Sequence, residues 1–437
     1  MLAYAKRLFM LLWVIMTPSV TRVPLRVMRE LKKQGKQRLP MTIQKGVDKG
    51  RINRNGLALI KTWLGSEMIT RKNGQFFINS FLPPFPGPAY ERMFTSLLSG
   101  RRLSPVSAYI AATRKCHLKC WHCSFKGHAQ ADMSADQLGR IIDQLVDLGT
   151  SIIGFTGGEP MLCKELKTHI AHAHRLGTAT VLFTTGLNID RDEAVRLRDA
   201  GLDIFCCSLD GEEADHDRLR GRTGAFKTTL QAIEYAKAAG MYTMLSSVAD
   251  RHFIADKVYL RLYDVAASMG VDEYRLIEAM PCGRLAGSQE DVLLSPADVA
   301  ELRAFHVAVN RKYRLPKVCA FNQIESPELI GCGAGTQHMF IDNAGQVCPC
   351  DFTPLSFGDA TAEPLGTIWE RMNAAFTLPR RDCFIQTNRD KVAAAVRENS
   401  GVIPLPVQKS QAICAACPFD GMPDYFRLVA GHLEQKI

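Results

Sequence analysis

Residues 104–280 alternate short apolar runs with longer stretches in which apolar positions recur every three or four residues. The runs at 107–113, 151–156, 179–184, 203–209, 241–248 and 273–279 have the length and the bounding turn residues of strands. Between them, 134–148, 163–176, 190–200, 225–239 and 255–269 carry helical periodicity. Ser134 followed by Gln137 has the form of a capping box, which marks the start of the first helix. Strand–helix alternation at this spacing predicts parallel βα units. Six such units make an α/β fold of the partial (β/α)6, TIM-like barrel kind, with ligands at the carboxyl ends of the strands.

On either side of this region the pattern changes. Residues 1–103 form an extension ending in the Pro-rich bend 82–88, which cannot continue a helix. Residues 104–315 hold the barrel and a further helical stretch near 296–312. Residues 316–437 form a C-terminal domain, in which 340–350 reads as a hairpin turning at Asn343-Ala344-Gly345. A chain of 437 residues is long enough for two or three domains with proper cores.

Charge is concentrated at one end. Residues 1–54 carry thirteen Lys or Arg against two acids, a net +11, while the whole chain is +10. The body is therefore close to neutral, and nucleic acid is not expected as a partner. Residues 8–16 are an apolar run behind Lys6 and Arg7 and ahead of Arg22, Arg26, Arg29, Lys32, Lys33, Lys36 and Arg38. Nine residues fall short of the roughly 20 that span a bilayer. An apolar anchor with basic flanks suits the surface of an anionic membrane, and a helix docked on the core is the alternative.

Fourteen cysteines are too few for a disulfide scaffold in a chain this long. They cluster instead. Cys116, Cys120 and Cys123 form C-x3-C-x2-C after the first strand, a spacing that wraps one metal centre. A zinc site would need a distant fourth ligand. A cubane held by three thiolates leaves one iron open to an outside ligand. Residues 151–160 run from an apolar strand into Gly157, Gly158, Glu159 and Pro160, where glycines permit close backbone approach and a carboxylate can meet an ammonium group.

These residues resemble the radical S-adenosylmethionine (radical SAM) superfamily, whose signature is C-x3-C-x-Φ-C with Φ usually aromatic. His122 stands at Φ, after Trp121. Residues 157–160 look like the family's GGEP motif. The resemblance implies that Cys116, Cys120 and Cys123 hold a catalytic [4Fe–4S] cluster. The open iron would bind S-adenosylmethionine, and an electron would split it to a 5′-deoxyadenosyl radical. Gly157, Gly158 and Glu159 would meet its amino group. Residues 208–211 resemble the family stretch for the ribose and carboxylate, with Ser208 first and Asp210 second. Arg220 could pair with a carboxylate or be a solvated helix charge. Ser247 and Glu278 map by position only. A reductant such as flavodoxin or ferredoxin is implied as a partner.

The C-terminal cysteines resemble the auxiliary-cluster domains of the same superfamily, SPASM or the shorter twitch form. Cys332-x17-Cys350 followed by Cys414-x2-Cys417 implies one further, closed [4Fe–4S] cluster. A zinc ribbon-like site is the alternative for that set. Cys348 could replace Cys350, and Cys282, Cys319 and Cys383 receive no role. The expected function is hydrogen abstraction from a peptide, lipid or small-molecule substrate. The competing readings are a non-catalytic zinc or iron–sulfur scaffold and an RNA-modifying enzyme. Thiolate clusters point to a reducing compartment, so a cytoplasmic chain is expected, peripheral on the inner face of the membrane where residues 8–16 dock.

Overall fold

Two short strands, β1 (Thr70–Lys72) and β2 (Gln75–Phe77), form a hairpin ahead of the main sheet in the computed structural model. The structure describes residues 2–18, 65–98, 104–128, 131–287 and 291–427, together with positions 22, 26, 29 and 33. Lys32, Lys36 and Arg38, expected to flank the apolar run, lie outside the described residues.

The main sheet follows the predicted rhythm. β3 (Ser107–Thr113), β4 (Ile152–Gly157), β5 (Ala179–Thr184), β6 (Ile204–Ser208), β7 (Tyr242–Ala249) and β8 (Glu273–Glu278) lie side by side in chain order, all parallel. A parallel sheet that never reverses its winding curls into a barrel and does not form the open doubly wound sheet. It continues past residue 315. β9 (Lys317–Ala320) pairs parallel with β8, and β10 (His338–Ile341) pairs parallel with β3 on the opposite side. β11 (Val347–Cys348) pairs antiparallel with β10, which is the hairpin expected around Gly345. β9 and β11 are the two outer strands of the sheet, so the barrel is partial and has an open seam.

The helices cover the outer face. In Ala135–Leu148 the residues Leu138, Ile141, Ile142 and Leu145 are buried, an i, i+3, i+4, i+7 stripe. Burying each contributes about 1.5–3 kcal/mol. The Ser134–Gln137 capping box is formed in both directions, and such a cap is worth about 1 kcal/mol. The helix Leu365–Ala375 of the C-terminal region packs on this helix, with Leu365 N donating to Gln144 Oε1 at 2.8 Å.

The extension closes the lower end of the barrel. Phe77 stacks on Tyr242 at 4.3 Å, and the buried Lys317 Nζ donates to the Phe77 carbonyl at 3.0 Å. The helix Leu2–Met16 docks through Met10, Leu11 and Val14 against Ile69, Phe76, Phe85, Tyr90 and Met93. Its other face leaves Tyr4, Leu8, Phe9, Leu12 and Met16 exposed. Among the described residues no helix is long and apolar enough to cross a membrane.

Candidate active site

The loop that carries Cys116, Cys120 and Cys123 leaves the carboxyl end of β3 and has no regular secondary structure, so its position depends on its neighbours. Lys119 N donates to Arg220 O at 3.0 Å and Trp121 N to Leu219 O at 3.2 Å, which ties the loop to the helix Glu213–Arg220. Arg284 N donates to Cys123 O at 3.0 Å, which ties it to the loop after β8. The end of β4 passes directly beneath. A Cβ on Gly158 would lie 2.2 Å from Lys115 O, and one on Gly157 2.5 Å from Thr113 O. Only glycine admits that approach, and Gly157 also has φ +125°.

Glu159 is fully buried. Its Oε1 accepts from the Thr184 hydroxyl at 2.6 Å and from Met161 N at 3.1 Å. Its Oε2 accepts from Thr185 N at 2.8 Å and from the Thr185 hydroxyl at 2.6 Å. Those four bonds fill the carboxylate's acceptor positions. Burial pushes its carboxyl above the ordinary value, and the Thr184 and Thr185 bonds pull against that shift.

Arg220 is buried and does not behave as a solvated helix charge. Its Nη2 lies 2.7 Å from Asp210 Oδ2, and its Nη1 donates to Cys120 Sγ at 3.5 Å. Burial would raise the Asp210 carboxyl, but Arg220, His122 and His216 together hold it below its usual range. Val248 N donates to Asp210 Oδ1 at 3.0 Å. Burial lowers His122 to about 4, against the pull of Asp210, so its ring is neutral at pH 7. Burial also pushes the Cys116 thiol up to about 11. A thiolate there needs a positive partner, which a metal centre supplies outright.

A cavity of about 1000 Å³ joins these groups. Cys116, Cys120, Cys123, His122, Gly157, Gly158, Glu159, Ser208 and Arg220 all line it, while the buried Asp210 stands behind Arg220. Trp121 Nε1, His122 Nδ1 and Arg220 Nε are buried without a hydrogen-bond partner. Three thiols, a glycine cradle and the unfilled His122 and Arg220 nitrogens on one cavity wall fit a thiolate-bound cluster with a polar cosubstrate. Among the described residues no three His, Cys, Asp or Glu converge on a single metal ion. A cubane places each thiolate on a different iron, so its ligands stand further apart.

The cavity extends beneath the C-terminal region. Cys332 and Cys350 line it, and so do Cys282 and Cys383, which spacing had left without a role. The Cys332 and Cys383 side chains share a hydrogen bond that, ahead of burial, holds the Cys332 thiol down to about 7. Cys414 and Cys417 are not in the cavity wall. They sit beside Arg380, whose Nη2 donates to Cys417 O at 3.3 Å. Cys348 is buried in the β10–β11 hairpin, and Cys319 lies on β9. Ser247 is buried with its hydroxyl on Leu209 O, and Glu278 lines the cavity with Gln386 as its partner.

The cavity continues through the barrel to Ile78, Leu82, Phe85, Tyr90 and Met93, ending at Leu11 and Val14 of the N-terminal helix. Arg275, midway along β8, lines it as well. The sequence held a signal for that residue: a charged side chain on the inward parity of a strand buried on both faces.

Residues 110–253 match the Radical SAM superfamily, and residues 332–394 match an iron–sulfur cluster-binding domain, SPASM. The chain is 28% identical over 295 residues to an AdoMet-dependent heme synthase of Nitratidesulfovibrio vulgaris, covering 61% of this chain and 80% of that one. It is 28% identical over 279 residues to a PqqA peptide cyclase of Streptomyces rochei, covering 61% and 76%. Streptococcus suis SuiB bound to S-adenosylmethionine has the same fold, with a TM-score of 0.52 at 16% identity over 64% of this chain and 70% of that one. The cofactors are accordingly a [4Fe–4S] cluster, S-adenosylmethionine and an auxiliary iron–sulfur cluster, supplied with electrons by a reductant. The chain belongs to the radical SAM superfamily and is a radical SAM enzyme with a C-terminal SPASM domain.

Proposed function

We propose that this enzyme abstracts hydrogen from a largely apolar, lipid-like substrate that enters from a membrane surface. The observation that carries the reading is the course of the cavity. It runs from the cysteine loop, through the barrel, to Leu11 and Val14 of a helix whose opposite face exposes Leu8, Phe9, Leu12 and Met16. Exposed Arg22, Arg26, Arg29 and Lys33 follow that helix. Each basic residue near an anionic membrane adds about 1 kcal/mol of attraction. The apolar face and the basic residues together make a peripheral membrane site on the inner leaflet.

In this reading Cys116, Cys120 and Cys123 hold the catalytic cluster. When bound, that cluster supplies the electron that cleaves S-adenosylmethionine to a 5′-deoxyadenosyl radical. The chain's own contribution is placement. Arg220, anchored by Asp210, offers its remaining donors to the cosubstrate carboxylate and to Cys120. Ser208 and the neutral His122 face the rest of the cosubstrate. Glu159 acts mainly by fixing the turn after β5 through Thr184 and Thr185, so the glycine backbone meets the amino group. The apolar walls exclude water from the radical's path. Cys332, Cys350 and Cys383, the thiols of the C-terminal domain that face the cavity, hold the auxiliary cluster, and flavodoxin or ferredoxin supplies electrons.

Relatives are named for varied chemistry, an AdoMet-dependent heme synthase and a PqqA peptide cyclase among them. The apolar course of the cavity favours the lipid class. The test is anaerobic formation of 5′-deoxyadenosine by the reconstituted full chain with dithionite, with and without a membrane lipid extract. Stimulation by the lipid extract supports the reading, and stimulation by a peptide fraction alone contradicts it.

A further inference from the structure

Arg275 is 3% exposed, and its guanidinium carbon lies 4.5 Å from the ring centroid of Phe81 and 5.3 Å from that of Phe183. Its Nε and Nη1 are buried and have no hydrogen-bond partner. Among the described residues no carboxylate forms an ion pair with it. Tyr109 shares a side-chain hydrogen bond with it, and its charge pulls on the half-buried Glu325 carboxyl, which lines the same cavity. Strand register sets Arg275 beside Ser246 and Ser246 beside Ser208, all three lining the cavity. Two strand spacings put Arg275 roughly 10 Å from Ser208.

A buried cation without a counter-charge costs several kcal/mol. Arginine cannot escape that cost by losing its proton. Two aromatic faces return only about 0.5–2 kcal/mol each. With two rings against it, the guanidinium keeps its Nε and Nη1 hydrogens for a partner that can accept them. A carboxylate is such a partner, with two coplanar oxygens and a single charge.

We infer that Arg275 seats a carboxylate of the substrate inside the barrel, within reach of the radical site. The inference rests on the apolar-substrate reading and adds to it one fixed anionic end. The test measures binding to the reconstituted full chain with S-adenosylmethionine, without oxygen. The probes are palmitate against methyl palmitate, and coproporphyrin III against its tetramethyl ester. Wild type is expected to bind the acids at least about tenfold more tightly than the esters. Arg275→Gln is expected to bind acid and ester alike, and Arg275→Lys to keep a reduced preference. Cluster absorbance reports assembly of each variant. Where Arg275→Gln does not assemble, the wild-type acid–ester ratio and its narrowing in Arg275→Lys decide. Equal binding of acid and ester by wild type, or a preference that survives in Arg275→Gln, overturns the inference. A preference in the porphyrin pair alone keeps Arg275 and removes the lipid reading, and no binding of any probe removes both.

Discussion

The Arg220 guanidinium lies 2.7 Å from the Asp210 carboxylate, with both side chains out of water. The same guanidinium reaches Cys120 Sγ. One buried ion pair thus links the end of β6 to the cysteine loop. Removing one partner leaves the other as an uncompensated buried charge. Arg220→Met is expected to destabilise the enzyme by about 3–5 kcal/mol. Arg220→Met combined with Asp210→Leu should cost less than Arg220→Met alone. Thermal midpoints of the cluster-loaded variants check this, together with KM for S-adenosylmethionine, which should rise with either change.

Iron content separates the two thiol sets. The reconstituted chain should hold about eight irons, two cubanes. Alanine at Cys116, Cys120 and Cys123 together should leave about four and abolish 5′-deoxyadenosine formation. Cys383→Ser should also lose about four irons, from the auxiliary site, whereas Cys414→Ser should retain them. The reverse pattern would return the Cys414–Cys417 pair to the ligand set.

The residues that were legible in the sequence are those whose neighbours in the chain are also neighbours in space. The six barrel strands follow from apolar runs, and β3 and β5 fall at 107–113 and 179–184 as expected. The three-cysteine loop and Gly157-Gly158-Glu159 are local motifs of the same kind. What the pattern hid depends on tertiary pairing. β9 is four residues long and begins with Lys317, whose buried ammonium donates to a carbonyl and a hydroxyl of the β1–β2 hairpin. Cys383 has no nearby cysteine in the chain, and its partner Cys332 lies some fifty residues away. The helix Glu213–Arg220 is so polar that Arg220 looks solvated until Asp210 is found beneath it.

His216 gives a pH dependence with a definite sign. Burial lowers its ring to about 4, against the pull of Asp210 and with a smaller push from Arg220. Its Nδ1 accepts from Asp210 N at 3.1 Å, a bond that needs the neutral ring. The unfolded chain, with a histidine near 6.5, binds more protons between pH 4 and 6.5. The contribution is therefore complete above pH 6.5 and is lost as pH falls toward 4, by up to about 1.4 kcal/mol per pH unit. His216→Asn should flatten the fall in thermal midpoint between pH 6.5 and 5 by about one proton's worth.

The exposed face of Leu2–Met16 should govern membrane attachment. Phe9 is 63% and Met16 76% exposed. Vesicles containing phosphatidylglycerol should co-sediment with the full chain, less so as salt rises. Phe9→Glu combined with Leu12→Glu should weaken that binding at least about tenfold, while 5′-deoxyadenosine formed without substrate stays unchanged.

The central claim is that the radical meets an apolar substrate, and isotope transfer tests it most directly. Cells grown in fully deuterated medium are separated into a lipid extract and a water-soluble fraction. Each is given to the reconstituted enzyme with unlabelled S-adenosylmethionine and dithionite. Deuterium is expected in 5′-deoxyadenosine from the lipid extract and not from the water-soluble fraction. Deuterium arriving only from the water-soluble fraction would contradict the account.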